Sequence, residues 1–190
     1  MKNPKPHPDF QLPVPGSIHG RSSTITAAFF SAITPVKIPS YEDVVEALGV
    51  LEMSIGNCTC AYCGGKKTEW DHLRPIVINK KPTGYITEIA NLVPACGKCN
   101  QSKGNKPWRE WIRSKALQSP QTRSIADLDR RFACLEAYER WREPVHIDYE
   151  KILESSLWEK HLKNREFLLE KMKEAQEHAK VLRKALEEHL

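Results

Sequence analysis

Apolar residues return at helical spacing in four stretches of the chain and lose that period in the middle, between residues 60 and 95. Ala27, Ala28, Phe29, Phe30 and Ile33 predict a short buried helix ending before Pro35. Ser40 opens a second helix, with Asp43 three residues on in a capping-box arrangement, and Gly49 is placed to close it. Ile38, Val44, Val45, Leu48 and Leu51 give that helix its apolar side. Ser124 with Asp127 repeats the capping signal before a helix whose apolar set is Leu128, Phe132, Leu135, Tyr138 and Trp141, stopped by Pro144. The last 40 residues form a charged helix without Gly or Pro. In it Leu168, Met172, Ala175, Ala179, Leu182 and Leu186 alternate steps of four and three, a heptad seam that is clean until it meets Arg165 and His161.

The middle segment reads differently. Cys60 to Gly65 is a glycine-rich turn, Thr68 to Pro75 a strand, Asn79 to Gly84 a loop, and Tyr85 to Val93 a returning extended segment. A short helix follows from the second cysteine pair through Lys103. Asn105 is placed to cap another, with Pro107 early in it and Trp108, Trp111 and Ile112 on one side, packed on the segment before it. The fold class is therefore α+β and mostly helical. It divides into an extended arm (1–16, with five prolines), a helical segment (17–56), a central module (57–118), a helix packed on that module (119–145) and the long charged helix (146–190).

Net charge alters the picture only through its distribution. The chain of 190 residues carries +5. Residues 60–115 hold 11 Lys and Arg against 4 Asp and Glu, so the basic excess lies on the central module and points to phosphate as its partner. Met1 to Pro15 has no apolar run like a signal peptide, and no stretch approaches the roughly 18 apolar residues of a membrane helix. A cytoplasmic protein is expected, and in that setting paired cysteines bind metal more often than they form disulfides.

Four of the six cysteines form two Cys-x-x-Cys pairs, Cys60 with Cys63 and Cys96 with Cys99, separated by 32 residues. Four thiolates suit zinc in a closed tetrahedral site that leaves no position for water, so this zinc should staple the fold. Cys58 could compete with Cys60, but only the gap from Cys60 to Cys63 matches a knuckle; Cys134 falls in a helical pattern as a small buried residue. Within the staple, Asp71 and Asn100 offer hard oxygen ligands for Mg²⁺ or Mn²⁺. His72, the sole histidine between residues 20 and 145, is the natural general base, and Asn91 can brace its loop across the hairpin. Neighbours on a strand point to opposite faces, so Asp71 and His72 share a site only if the strand ends or bends there, as Pro75 suggests.

Cys60-Ala-Tyr-Cys63, Glu69-Trp-Asp-His-Leu-Arg-Pro75, Asn91-Leu-Val-Pro-Ala-Cys96-Gly-Lys-Cys99-Asn100 and Lys103-Gly-Asn105 resemble the HNH nucleases, the ββα-metal superfamily, over about 50 residues. The resemblance implies His72 as general base, Asp71 and Asn100 as metal ligands, Asn91 as the central structural residue, and the zinc-knuckle subset of the family. Asn100 stands where the family name has His, an HNN-like variant; an amide oxygen argues for Mg²⁺ or Mn²⁺ over softer ions. The implied activity is endonucleolytic cleavage of DNA, expected to be double-stranded, leaving 5′-phosphate and 3′-hydroxyl ends, with an overall look similar to restriction-type enzymes. Arg74, Lys80, Lys81, Lys98, Lys103 and Lys106 are candidate phosphate contacts, Lys103 nearest the scissile phosphate, and His19 to Thr24 offers further donors. The heptad seam is a candidate homodimer contact, with folding back on the 124–142 helix as the alternative. A zinc-stapled binding module without catalysis, and a scaffold that docks a partner through its last helix, are the competing readings.

Overall fold

The computed structural model describes residues 13–189. Most of the expected N-terminal arm thus lies outside the described residues; 13–17 are exposed and without regular structure. A 3-10 turn at His19–Arg21 leads into α1 (Ser22–Ser31), followed by α2 (Tyr41–Val50), β1 (Glu69–His72), β2 (Val77–Ile78), β3 (Lys81–Pro82) and β4 (Leu92–Ala95). The remainder is helical: α3 (Gly97–Lys103), α4 (Trp108–Ile112), α5 (Leu128–Trp141), α6 (Tyr149–Ile152) and α7 (Ser155–Glu187). An α+β, mostly helical chain is what the sequence pattern calls for.

The capping box of α2 is present in full: Asp43 N–H donates to the Ser40 hydroxyl at 3.0 Å, and Ser40 N–H donates to the Asp43 carboxylate at 3.2 Å. Gly49 does not close this helix. It stays helical, and Glu52 takes the left-handed turn at φ 55°. Ala47, Leu48 and Leu51 carry the packing, whereas Ile38 and Val45 are exposed. The second capping box does not form. Ser124 sits at φ 53°, and the Asp127 carboxylate accepts from Arg131 one turn on, so α5 starts without a side-chain cap. Nor does Asn105 cap α4, whose N-cap is Pro107.

In the middle of the chain β1 pairs antiparallel with β4, Asp71 opposite Val93 and His72 opposite Leu92. The returning strand lies later than the sequence suggests, because a 3-10 turn at Ile89–Asn91 intervenes. The expected loop after Pro75 contains a small hairpin, β2 with β3, turned by Asn79 and Lys80 at positive φ. Helix α3 then follows β4 directly and completes a β-β-α unit.

Two apolar clusters hold the chain. The larger joins α2, the Cys60–Gly65 turn, β1, β4, α4 and α5 through Tyr62, Leu73, Val93, Trp111, Ile112, Leu135 and Tyr138. The Tyr138 hydroxyl fixes α5 to the start of β4 by donating to the Leu92 carbonyl at 2.7 Å. The smaller cluster gathers Phe30, Val77, Tyr149 and Trp158 from α1, β2, α6 and α7. Helices α1 and α2, adjacent in sequence, thus serve different clusters. Helix α7 lies on α1 and the 19–21 turn and not along α5, the fold-back alternative for the heptad seam. Gln176 accepts from Ser17 and from Ile18 N–H (2.7 Å) to fasten that contact.

Candidate active site and metal centre

The Cys60–Gly65 turn is closed by Cys60 N–H to Gly65 O and Gly64 N–H to Cys60 O, both 2.8 Å. Gly64 takes φ +72°, a conformation that favours glycine, and a Cβ there would displace the Arg131 guanidinium. Ala61 N–H donates to Pro94 O at 2.8 Å and lays the turn beside the end of β4. There the four sulfurs of Cys60, Cys63, Cys96 and Cys99 meet, all within 4.8 Å of one another, with Cys63 and Cys96 at 3.7 Å. A tetrahedral zinc at about 2.3 Å from each sulfur needs sulfurs roughly 3.8 Å apart, so the set fits such an ion. Hydrogen bonds from Cys60 and Cys99 hold Cys63 well below the ordinary thiol range. Arg123 adds a guanidinium N–H to Cys99 Sγ at 3.4 Å, a contact with no local sequence signal. Cys58 stands outside the set, its thiol on Ser54 O.

One face of β1 meets one face of α3. Glu69 and Asp71 are two apart on the strand; Asn100 and Lys103 are one turn apart on the helix. Asn100 Nδ2 donates to Glu69 Oε2 at 2.7 Å, which leaves the amide oxygen without a partner among the described residues. Lys103 donates to His72 O at 2.7 Å and pairs with Asp71 at 3.0 Å to Oδ2 and 3.3 Å to Oδ1. The Tyr62 hydroxyl also donates to Asp71 Oδ2, at 2.5 Å. Burial dominates the charge state here, pushing the Asp71 pKa up and the Lys103 pKa down, each opposed by attraction to the other.

Lys103 therefore departs from the expected phosphate contact: it is 0% exposed, and its ammonium is spent on Asp71 and on main-chain carbonyls. Arg74 also turns inward, donating to Glu139 O at 3.0 Å on α5. Lys98 and Lys106 are exposed, as are Lys80 and Lys81. Arg21 is exposed on the turn docked to α7. Trp108 and Trp111 pack inside the module, as expected of them.

Regular pairing continues through His72, so alternation along β1 turns the imidazole away from the Asp71 face. Its Nε2 lies 2.8 Å from Thr87 Oγ1. Main-chain bonds on both sides pin Thr87, from Thr87 N–H to Pro35 O and from Lys37 N–H to Thr87 O. Burial, aided by the nearby Lys103 charge, holds the His72 pKa down to about 4, so the ring is neutral near pH 7. Asn91 is fully buried and clamps the loop after His72, accepting from Arg74 N–H at 2.8 Å and donating to Arg74 O at 3.0 Å.

This β-β-α unit around a thiol cluster coincides with a family match: residues 60–106 fit the model of the HNH endonucleases. The chain carries an HNH endonuclease domain. A CRISPR-associated endonuclease Cas9 of Corynebacterium diphtheriae is 35% identical over 78 residues, 39% of this chain and 7% of that protein. The Cas9 of Actinomyces naeslundii is 31% identical over 138 residues, 61% of this chain and 12% of that protein. The chain thus spans a small fraction of either relative. No solved structure matches it significantly. No helix among the described residues is long and apolar enough to cross a membrane.

Sequence reading missed Tyr62, Thr87, Glu69 and Arg123 around the HNH domain. Only Glu69 had a signal, its place two residues before Asp71 on the same strand face. The buried Lys103 and Asp71 pair makes a stability test. Lys103→Met strands the carboxylate and should cost about 3 kcal/mol, read as a lower urea midpoint. Adding Asp71→Asn should recover part of that loss; an unchanged midpoint in the single variant would remove the pair from the account of stability.

Proposed function

We propose that this protein is a metal-dependent endonuclease that hydrolyses phosphodiester bonds of DNA. The carrying observation is the strand and helix pairing that sets Asp71 on a common face with Asn100, next in the chain to a partly buried His72 whose ring is neutral near pH 7, inside a unit closed by four cysteines. Thr87 orients the imidazole. With Nε2–H donated to the Thr87 hydroxyl, Nδ1 is left to take the proton of an attacking water. Asn91 keeps that loop rigid through its two bonds to the Arg74 backbone. Asp71 and the free amide oxygen of Asn100 form a hard donor set suited to Mg²⁺ or Mn²⁺. When bound there, such an ion supplies charge stabilisation at the phosphate and the leaving 3′ oxygen. The four thiolates hold zinc as a structural ion.

Exposed Lys98 in the first turn of α3 and Lys106 just beyond its end supply the electrostatic attraction for the DNA backbone. Double-stranded DNA is the proposed substrate and the cytoplasm the proposed location. Both named relatives are CRISPR-associated endonucleases, which supports a role of that kind over the restriction-type role suggested by sequence alone. The deciding experiment incubates supercoiled plasmid with the protein in Mg²⁺ or in EDTA. Cutting only in Mg²⁺ supports the proposal. Plasmid binding with no cutting in either condition supports a zinc-stapled binding module, a reading favoured by the engagement of Asp71 with Lys103 and Tyr62.

A homodimer through α7 belongs to the same proposal. Leu182 is 51% and Leu186 67% exposed, so the seam is available in the last turns of the helix. In sedimentation, Leu182→Glu should shift a dimer to the monomer mass; the same mass before and after excludes the seam as the contact.

A further inference from the structure

Tyr62 lies between two of the clustered cysteines, is fully buried, and sets its ring edge-on against Trp111 at 5.2 Å between centroids. Its hydroxyl reaches out of the cysteine turn to a carboxylate nine residues away. A carboxylate has about four lone-pair sites, two on each oxygen. On Asp71, Oδ2 takes Tyr62 at 2.5 Å and the closer approach of Lys103 at 3.0 Å, which uses both of its sites. Oδ1 receives only the longer Lys103 contact at 3.3 Å and keeps one site free. The two donors therefore distinguish the oxygens, and the phenol is the one that contacts Oδ2 alone.

We infer that Tyr62 is a positioning residue that ties the cysteine turn to the catalytic site by pinning Asp71 Oδ2, so that Oδ1 is the oxygen offered to a hard divalent cation. This rests on the proposal that Asp71 is a ligand in a nuclease site. Without the phenol, Lys103 alone would hold the carboxylate, and rotation about its terminal bond would exchange the oxygens. The fault would lie in cation affinity, because neither His72 nor the DNA-facing lysines touch Tyr62. Tyr62→Phe keeps the ring and its packing on Trp111 and removes only the donor.

The experiment compares zinc-loaded wild-type protein with Tyr62→Phe by Mn²⁺ binding without DNA, read from the free-ion electron paramagnetic resonance signal. It adds a Mg²⁺ titration of plasmid cleavage, with zinc content and melting temperature as controls. The expected result is Mn²⁺ affinity weakened about tenfold, in the range for lost partners of metal ligands. The Mg²⁺ demand should rise to match, while the rate at saturating Mg²⁺ and the zinc content stay near wild type. Replacing Tyr62 with 3-fluorotyrosine, which keeps shape and donor, should retain wild-type affinity and separates the hydroxyl from any folding defect of the Phe variant. Wild-type Mn²⁺ affinity in a folded Tyr62→Phe protein overturns the inference and leaves the nuclease reading intact. A zinc-loaded wild type that neither binds Mn²⁺ nor cuts overturns both.

Discussion

His72→Ala should lower Mg²⁺-dependent plasmid cleavage by about 10² to 10⁴-fold, the usual contribution of a positioned general base. Zinc content and melting temperature should stay near wild type. The imidazole is held in one orientation suited to the proposed role: Nε2 faces Thr87 Oγ1, and burial with the Lys103 charge keeps the ring unprotonated near neutral pH. A protonated ring could not accept the proton of the attacking water, so the depressed pKa keeps the ring in its accepting form well below neutral pH while making it a weaker base. Truncation removes a partly buried ring at the end of β1, where the backbone remains held by Lys103 to His72 O and by the Asn91 clamp. The loss should therefore fall on rate and leave plasmid binding, measured by gel shift, almost unaffected. Cleavage by His72→Ala at the wild-type rate would remove His72 from the base role.

Stripping the proposed zinc, or replacing Cys99 by Ser, should have the largest effect on stability. A structural site of this kind contributes several kcal/mol to folding, so the melting temperature should fall by more than about 10 °C. The mechanism is local. Cys60 and Cys99 are fully buried among Tyr62, Val93, Trp111 and Leu135, and without the ion four close thiols must share or lose their charge inside that core. The Cys60–Gly65 turn also supports β4 through Ala61 N–H to Pro94 O, so its loosening reaches the strand that faces Asp71. Near-ultraviolet circular dichroism should report it through Tyr62 and Trp111. Cys58→Ser and Cys134→Ser are the controls, since neither thiol belongs to the cluster. An equal fall for Cys58→Ser would overturn the assignment of the four ligands.

Much of this protein is legible in short stretches of sequence. The two Cys-x-x-Cys pairs named the thiol cluster, because bringing two sulfurs together across a tight glycine turn is a local problem with a local solution. The Ser40 and Asp43 box and the apolar set of α5 were legible for the same reason. Ser124 with Asp127 carried the same local signal and failed, because the Asp127 carboxylate pairs with Arg131 one turn on while Ser124 turns to positive φ. Asn91 could be named as a brace because one amide offers both a donor and an acceptor to backbone groups across a hairpin. Which loop atoms it would bond, the N–H and C=O of Arg74, only the fold could specify.

The sequence by itself determined the α+β class and the four members of the thiol cluster, and it proposed the residue types of the hydrolytic set, since coordination chemistry and helical or strand period act over a few neighbouring positions. The tertiary structure decided which side chains those residues meet. Lys103 is adjacent to Asp71 across 32 positions, Thr87 to His72 across 15, and Arg123 to Cys99 across 24. Such pairings follow from strand alternation, helix register and the burial of a whole core, and these fix whether a lysine one turn beyond Asn100 faces phosphate or is folded inward to neutralise a carboxylate.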